Sequence, residues 1–245
     1  MEDHVVTLWS WNIFGFDIPI TNVILMSWIT MAIIILWAFL ATRKLKLVPT
    51  GLQNTAEILV DALNKFSVNQ MGKDGRNYAA YLGTIGLFLG ISNTIGALFM
   101  DGITNGIVCP PTRTMAVPVA LAIMTIVIAI GSGIKKKGIV GFIKRLFKPM
   151  FIMFPFNLLE FIIKPLSLSM RLFGNVFGAY VAMELLFNAV PWGLPAVACL
   201  YFDLFDGGLQ TFVFVLLTAL YIGEEIEEED EEPEKKPAYG MEVSA

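Results

Sequence analysis

Cysteine and histidine are nearly absent from this 245-residue chain, which contains two Cys and one His, at position 4. So few ligands and bases exclude a disulfide framework, a Cys/His zinc site and a catalytic triad built on a histidine inside the fold. Charged residues are also scarce, at 16%, whereas 56% of the residues are hydrophobic and the mean hydropathy is +0.69. These values lie well above those of ordinary soluble domains. The composition therefore predicts a membrane protein and excludes most hydrolase chemistry.

The formal net charge of -4 is unevenly distributed along the chain. Residues 222–245 hold ten acids and two bases, so this end carries -8 and the rest of the chain +4. A body with so small a positive charge offers no basic surface for nucleic acid. Residues 227–245 are predicted to form an acidic, solvated tail without a catalytic role, after a single membrane domain over 1–226.

Five apolar segments predict an all-α integral membrane protein, since a helix needs about 20 residues to cross a bilayer. The predicted spans are at about 23–42, 78–100, 115–134, 157–190 and 194–222. A loop rich in Gly and Pro joins the second and third spans, which predicts a transmembrane hairpin. The fourth span would measure about 50 Å as one helix, against a hydrocarbon core of about 30 Å, and is therefore expected to tilt strongly.

Residues 52–71, after the first span, predict an amphipathic helix. Apolar residues at 52, 56, 59, 63 and 66 repeat with the spacing of one helical face, and the charged residues lie off that face. Two interpretations remain open. The helix lies on the membrane surface, as the proposed architecture assumes, or it packs on a soluble partner.

Lys and Arg cluster in two places, six within 43–76 and six within 135–148. The positive-inside rule puts both clusters in the cytoplasm. With the N-terminus outside, five crossings then place the loop 101–114 outside and residues 222–245 in the cytoplasm. No Lys or Arg precedes the first span, so a cleavable signal peptide is not expected and the N-terminus is expected to remain in the mature protein.

The fourth span carries a polar stripe. At about 100° per residue, one helical face collects Glu160, Lys164, Ser167, Arg171, Asn175 and Gly178. Glu160 precedes Lys164 by four residues, the favourable order for an intrahelical ion pair. Arg171 has no such acid and stays charged at any physiological pH, so it predicts a carboxylate from another segment. Beside it, Gly174 and Gly178 predict the close approach of a partner helix.

Polar residues recur in the fifth span, where Asp203, Asp206, Gly207 and Gln210 share one side of the predicted helix. An ionisable side chain in hydrocarbon costs roughly 2.5–3.5 kcal/mol on insertion scales, so such residues usually serve a function. The two acids are therefore candidate groups on a proton path. The alternative left open is that they lie at the end of the helix, in contact with lipid headgroups and bulk water.

Two other classes of function are weighed against ion translocation through such a path. A secondary transporter is expected to contain internal repeats and paired broken helices, and the halves of this chain show no similarity. An intramembrane hydrolase needs a nucleophile and a base, but Ser167 and Ser169 have no histidine within reach. Asp203 and Asp206 lie three residues apart on one helix and do not form a facing dyad.

Several segments resemble one known family in the correct order. PFNLLEFIIKPLSLSMRLFGNVFGAY and LFDGGLQTFVFVLLTALYI closely resemble the a subunit of bacterial F-type ATP synthases, and PTGLQNTAEILVDAL, LGISNTIGALF and GIKKKG are similar to further family segments. The resemblance covers nearly all of residues 45–226. It implies one vertical span, a surface helix, a hairpin and two long, strongly tilted helices beside a rotating ring of c subunits.

The resemblance also implies partners and site residues. The partners are the c-subunit ring, peripheral-stalk b subunits, the rest of the ATP synthase and the lipid of a bacterial cell membrane. The subunit provides two offset aqueous half-channels for ions and has no cofactor, metal or catalytic site. Arg171 matches the arginine that faces each passing ring carboxylate, and Asn175 and Gln210 match polar residues along the same interface. The proton is the expected ion, with sodium left open.

Other positions depart from the family pattern. Tyr180 occupies a half-channel position that is often Glu or His in relatives, so Glu184, one turn further along, is expected to take that role. Asp203 stands where relatives have His or an acid, and its role is expected to be retained. In the hairpin loop, Thr114 and Ala116 replace the usual Asp and Asn, so the outer half-channel is expected to be lined differently.

Cysteine labelling tests the predicted topology. In a variant without Cys109 and Cys199, an impermeant thiol reagent applied to intact cells is expected to modify Thr104→Cys and to spare Lys136→Cys, because the positive-inside rule places only the latter in the cytoplasm. The opposite pattern would show that the topology is inverted.

Overall fold

The computed structural model describes residues 7–13, 16–43, 45–98, 110–147, 154–189, 198, 201 and 205–226. Within these ranges the chain is largely helical, as predicted. Two strands come first, β1 (Thr7–Ile13) and β2 (Phe16–Thr21). The α-helices described are α1 (Asn22–Thr42), α2 (Leu52–Met71), α3 (Ala79–Leu98), α4 (Ala116–Leu146), α5 (Phe154–Ala189) and α6 (Gly207–Ile226). Short 3-10 helices lie at Gly72–Asn77 and Pro111–Arg113.

The antiparallel pair β1–β2 is an element that the sequence analysis did not predict. Trp9 lies opposite Ile20 and Trp11 opposite Ile18. Aromatic and β-branched residues favour such a pleated pair. Thr21 then leads into α1 with extended backbone, at φ -89° and ψ 160°. A short β segment therefore precedes the helical body.

Helix α1 coincides with the first predicted span. Ser27 and Thr30 each donate a hydrogen bond of 2.9 Å to a carbonyl oxygen four residues earlier, so their hydroxyls are satisfied inside the helix. Large apolar side chains such as Ile35 and Phe39 are 66% and 60% exposed. A helix with satisfied polar groups and an apolar outer surface is suited to contact with lipid.

Helix α2 has the bounds predicted for the amphipathic helix. Gly51 and Gly72 flank it with φ of 62° and 69°, a backbone conformation that other residues rarely adopt. Most of the predicted apolar face is partly buried, namely Ala56, Leu59, Leu63 and Phe66. A bend of 118° separates this helix and the following 3-10 turn from α3. The location of α2 on the membrane surface stays a prediction.

Helix α6 lies among the other helices. It packs against α2, α3, α4 and α5. The arms of the predicted hairpin, α3 and α4, therefore pack more extensively on α6 than on each other. The core between these helices includes Leu82, Leu89, Leu172, Phe214 and Ile222. Gly223 permits a close approach to α2, because a Cβ there would lie 3.2 Å from the carbonyl oxygen of Gln70.

Helix α4 runs past the predicted end of the third span at 134 and continues to Leu146. Lysine is a good helix former, so the helix continues through residues 135–137 after the apolar run has ended. The backbone departs from helical geometry at Gly138, with φ 71° and ψ 165°. Residues 139–146 are therefore a separate helical segment after a kink.

Helix α5 is one continuous helix of 36 residues, or about 54 Å, as predicted for 157–190. Pro165 lies inside it. The fifth predicted span is seen as α6 from Gly207 onward, and most of 194–204 lies outside the described residues.

Three described helices are long and apolar enough to cross a membrane: α1, α4 over Ala116–Lys144, and α6. The bent pair formed by α2 with its 3-10 turn and α3 makes a fourth if it is counted as one broken span. Four charged residues interrupt the apolar sequence of α5, which is not among these helices. The five-span arrangement, the tilt and the domain limits stay predictions, and the tail 227–245 lies outside the described residues.

Candidate functional site

The polar stripe of α5 lies on an open face of the protein. Ser167, Arg171, Gly174, Asn175 and Gly178 are all exposed. A Cβ added to Gly174 or Gly178 would meet no atom within 4 Å, so the described chain itself places no helix on these glycines. An adjacent side of α5 buries Leu168 and Leu172 in the core. The helix thus presents a polar, small-residue surface to whatever lies beside the subunit.

Lys164, near the start of the stripe, is held by two carboxylates. Its Nζ lies 3.2 Å from Oε2 of Glu160, which confirms the predicted intrahelical pair. It also donates to Oε2 of Glu224 on α6, a partner that the sequence analysis did not identify. Nζ lies 5.5 Å from the centre of the Tyr221 ring, within reach of a cation–π contact. The ammonium is therefore neutralised within the subunit and turned toward α6.

Arg171 contrasts with Lys164. Its side chain is exposed, and within the described residues it forms neither a salt bridge nor a hydrogen bond to another side chain. The absence of an acid along the helix was predicted from the spacing. Tertiary packing supplies no acid either, within the part of the chain that the structure describes. The guanidinium remains available to a partner from another molecule.

Asn175 of α5 and Gln210 of α6, which the family resemblance puts along one interface, lie in contact with each other. Nδ2 of Asn175 donates a 2.8 Å hydrogen bond to Oε1 of Gln210. Gln210 is 4% exposed, and its Nε2 has no hydrogen-bond partner within the described residues. One turn of helix separates Asn175 from Arg171, so this contact joins α5 to α6 next to the arginine.

A second polar cluster lies where α3 and α6 meet the loop before α4. Thr112 Oγ1 donates to Oδ1 of Asn93 at 2.9 Å, and Asn93 Nδ2 donates to the Gly207 carbonyl oxygen at 3.3 Å and to Thr211 Oγ1 at 3.4 Å. Thr112 is fully buried and Asn93 nearly so. Under the predicted topology this cluster lies toward the outer side of the membrane.

Arg113 follows this cluster in the chain. Its Cζ lies 4.3 Å from the centre of the Tyr180 ring on α5. A guanidinium over an aromatic face is a favourable cation–π arrangement. Tyr180 thus packs against Arg113, at a position where the family resemblance led us to expect an acid or a histidine.

The candidate acids lie in different settings. Glu184 is exposed near the end of α5, where its carbonyl oxygen accepts a hydrogen bond from Asn188 Nδ2 at 2.9 Å. Asp206 is partly exposed immediately before α6. Asp203 lies outside the described residues. No group of three His, Cys, Asp or Glu that could hold a metal ion occurs within the described ranges.

A cavity of about 610 Å³ lies at the opposite end of α6 from Asp206. It is lined by the end of α2, the following 3-10 turn, Lys136 and the last turn of α6, including Glu224. A salt bridge of 2.5 Å between Lys136 Nζ and Asp74 Oδ2 borders it. The predicted topology places this polar cavity at the cytoplasmic end of the subunit.

Several of these polar residues were not predicted from the sequence. Asn93 is a polar residue within an apolar span, and this was a signal that it has a role. Its hydrogen-bond partners could not be predicted, because they come from two distant segments of the chain. Glu224 was counted with the acidic end of the chain. Tyr221 and Arg113 gave no signal in the sequence that would identify their contacts.

The chain is similar in sequence to one family of known proteins. Residues 24–223 match the family model described as ATP synthase A chain. The chain is 37% identical over 205 residues to ATP synthase subunit a of Moorella thermoacetica, which covers 84% of this chain and 90% of that one. It is 36% identical over 219 residues to a protein of Propionigenium modestum named ATP synthase subunit a, sodium ion specific, which covers 86% of this chain and 75% of that one.

Proposed function

The chain belongs to the ATP synthase A chain family, and we propose that it is the stator subunit that conducts protons past a rotating c ring and couples their flow to ATP synthesis. As a membrane-sector subunit it does not itself catalyse the reaction of ATP. The observation that carries the proposal is Arg171, an exposed cation on the polar face of α5 with no acidic partner within the described residues.

The surface around Arg171 suits a moving partner. Gly174 and Gly178 leave open space on the same face. Small residues let a neighbouring helix approach the backbone closely. We place the ring against this face, where each ring carboxylate in turn would meet the guanidinium. The charge of arginine is permanent, so it can attract an ionised carboxylate and cannot itself carry the proton.

Two offset half-channels complete the proposal. Polar atoms of Asn93, Thr112 and Thr211, together with Glu184, Asp203 and Asp206, are assigned to the outer path. The cavity beside Lys136 and Asp74 is assigned to the cytoplasmic end. The support for two separate paths is that Asn93, Thr112 and Thr211 lie toward one end of α6 and the cavity lies at the other. The middle of the helix buries Phe214, Val215 and Ala219, and its buried Thr218 hydroxyl contacts that of Thr125.

The proposed surroundings follow from the same arrangement. The subunit lies in a bacterial cell membrane with its N-terminus outside and its C-terminus in the cytoplasm. Peripheral-stalk b subunits hold it fixed within the ATP synthase, and the exposed apolar face of α1 contacts lipid. Since the chain bears the family's sequence over most of its length, we retain this function over a secondary transporter.

Arg171→Ala is expected to abolish ATP-driven proton pumping in inverted membrane vesicles, because no other cation would attract the ring carboxylate. A passive leak is also expected, since ring carboxylates could then pass in their protonated form. Arg171→Lys is expected to fail substantially, because an ammonium lacks the forked geometry of the guanidinium. Arg43→Ala, at the exposed end of α1, is the control and should pump normally. Undiminished pumping by the Ala variant would refute the assignment.

Glu184→Gln and Asp203→Asn are expected to slow pumping with normal assembly, and the double variant is expected to be slower than either. Each change keeps the shape of the side chain and removes its exchangeable proton. Asp61→Asn, which removes an exposed acid of α2, is the matched control. Normal pumping across pH 6 to 9 in both single variants and the double variant, with the complex intact, would show that these acids are bystanders.

Sodium translocation is the second candidate, because one relative is named as sodium ion specific. Inverted vesicles distinguish the two ions. A proton pump acidifies the vesicles without added sodium and loses the gradient when a protonophore is present. Uptake of labelled sodium that persists with the protonophore would instead assign sodium to this subunit.

A further inference from the structure

Two cations share the polar face of α5, and their surroundings differ. Lys164 and Arg171 are seven residues apart, which separates them by about 10.5 Å along the helix and about 20° around it. The Lys164 side chain is 15% exposed and contacts two carboxylates. Arg171 is exposed and contacts none within the described residues. The inference rests on the proposed function, in which this face meets the c ring.

A free ammonium at position 164 would compete with Arg171. It would lie two turns away on the same face and would attract the same ring carboxylates. Lysine has a long, flexible side chain with a compact charge, so it could reach toward a partner on that face. A carboxylate held by Lys164 would delay the next step of the ring. The proposed mechanism therefore requires that Lys164 be kept from the ring.

Glu160 alone is a weak restraint on Lys164. The two form an intrahelical pair on one helix surface, and the Glu160 side chain is 58% exposed. Exposed pairs of this kind contribute little, because water screens them and the side chains remain mobile. Glu160 also lies on the same stripe as Lys164, so it does not direct the ammonium toward α6.

The Glu224 side chain is itself 49% exposed, so it differs from Glu160 mainly in its position. It is on α6 and accepts a hydrogen bond from Lys164 Nζ across the helix interface. Tyr221, three residues earlier on α6, places its ring 5.5 Å from the same Nζ. The contacts from α6 thus draw the ammonium to the side of α5 that faces the protein interior, and Lys164 is only 15% exposed as a result.

We propose that Glu224 is a positioning residue that holds the Lys164 ammonium against α6, so that Arg171 alone on this face is available to the ring carboxylates. In this role the acid acts through Lys164 and does not touch the ring. Its function is to remove a competing charge.

Pumping in inverted vesicles of the assembled complex tests the proposal with three variants: Glu224→Gln, Lys164→Gln and the double variant. Glu224→Gln is expected to pump about fivefold more slowly, because the released ammonium makes a charge-assisted contact with ring carboxylates. Lys164→Gln is expected to pump at a rate close to that of the unaltered protein. The double variant is expected to recover that rate, since it contains no ammonium to release.

Rescue by the second substitution separates this role from a structural tether. If the ion pair only held α5 to α6, Lys164→Gln would be as defective as Glu224→Gln and the double variant would show no recovery. Either that pattern or normal pumping by Glu224→Gln would overturn the proposal. Asp61→Asn, which breaks the exposed Lys65–Asp61 pair on α2, is the control for loss of a salt bridge.

The proposed function fails by a different result. Normal pumping by Arg171→Ala would refute the function of the arginine whatever the Glu224 variants do. Loss of pumping by Arg171→Ala, together with no recovery in the double variant, would retain the arginine and reject the role of Glu224. Equal amounts of subunit and ring in the purified complexes would show that each rate comes from assembled enzyme.

Discussion

Hydrocarbon offers no water to a polar side chain, and this constraint governs the polar groups that the structure describes between its helices. Ser27 and Thr30 of α1 meet it within their own helix. Asn175 and Lys164 of α5 meet it by bonding to another helix. A hydrogen bond between helices also fixes their relative position, because only one alignment brings donor and acceptor together. At these contacts between helices, a hydrogen bond that satisfies a polar group therefore also aligns the two helices.

Helix α6 makes polar contacts of this kind with several neighbouring helices. Its polar residues contact a different helix at successive levels, through Gln210 to α5, Thr211 to α3, Thr218 to α4 and Glu224 to α5 again. The Thr218 contact is an Oγ1–Oγ1 distance of 3.5 Å to Thr125. Helix α6 bonds to α5 at Lys164 and at Asn175, which lie before and after Arg171 in the chain. A shift of α6 would therefore disturb the polar face of α5 at two points. This arrangement explains how a helix with an exposed arginine keeps a defined position.

Features that depend on residues close together in the chain could be predicted from the sequence. The apolar runs, the amphipathic helix and the Glu160–Lys164 pair follow from helical periodicity, and α2 and α5 have nearly the predicted bounds. Contacts between distant segments could not be predicted in this way, because the spacing on one helix does not show which face of another lies opposite. The link from Lys164 to Glu224 is one such contact. The β1–β2 pair was not predicted, because its two strands are short and the pairing between them is not visible in either strand alone. Helix α4 continues through residues 135–137 beyond its apolar run, since lysine favours helix.

Under the proposed function, Arg171, which has no acidic partner within the described residues, links assembly to transport. A lone arginine at the centre of a membrane helix costs roughly 2.5–3.5 kcal/mol on insertion scales. Within the described residues this subunit supplies no acid to offset that cost, although it supplies two acids to Lys164. Under the proposed function the ring carboxylates supply the missing charge, so the subunit gains stability only when the ring is beside it. An internal acid bound to Arg171 would stabilise the free subunit and would also occupy the guanidinium that the ring must reach. Under the proposed function, the Arg171 charge that makes the free subunit less stable is thus the same charge that attracts each passing carboxylate.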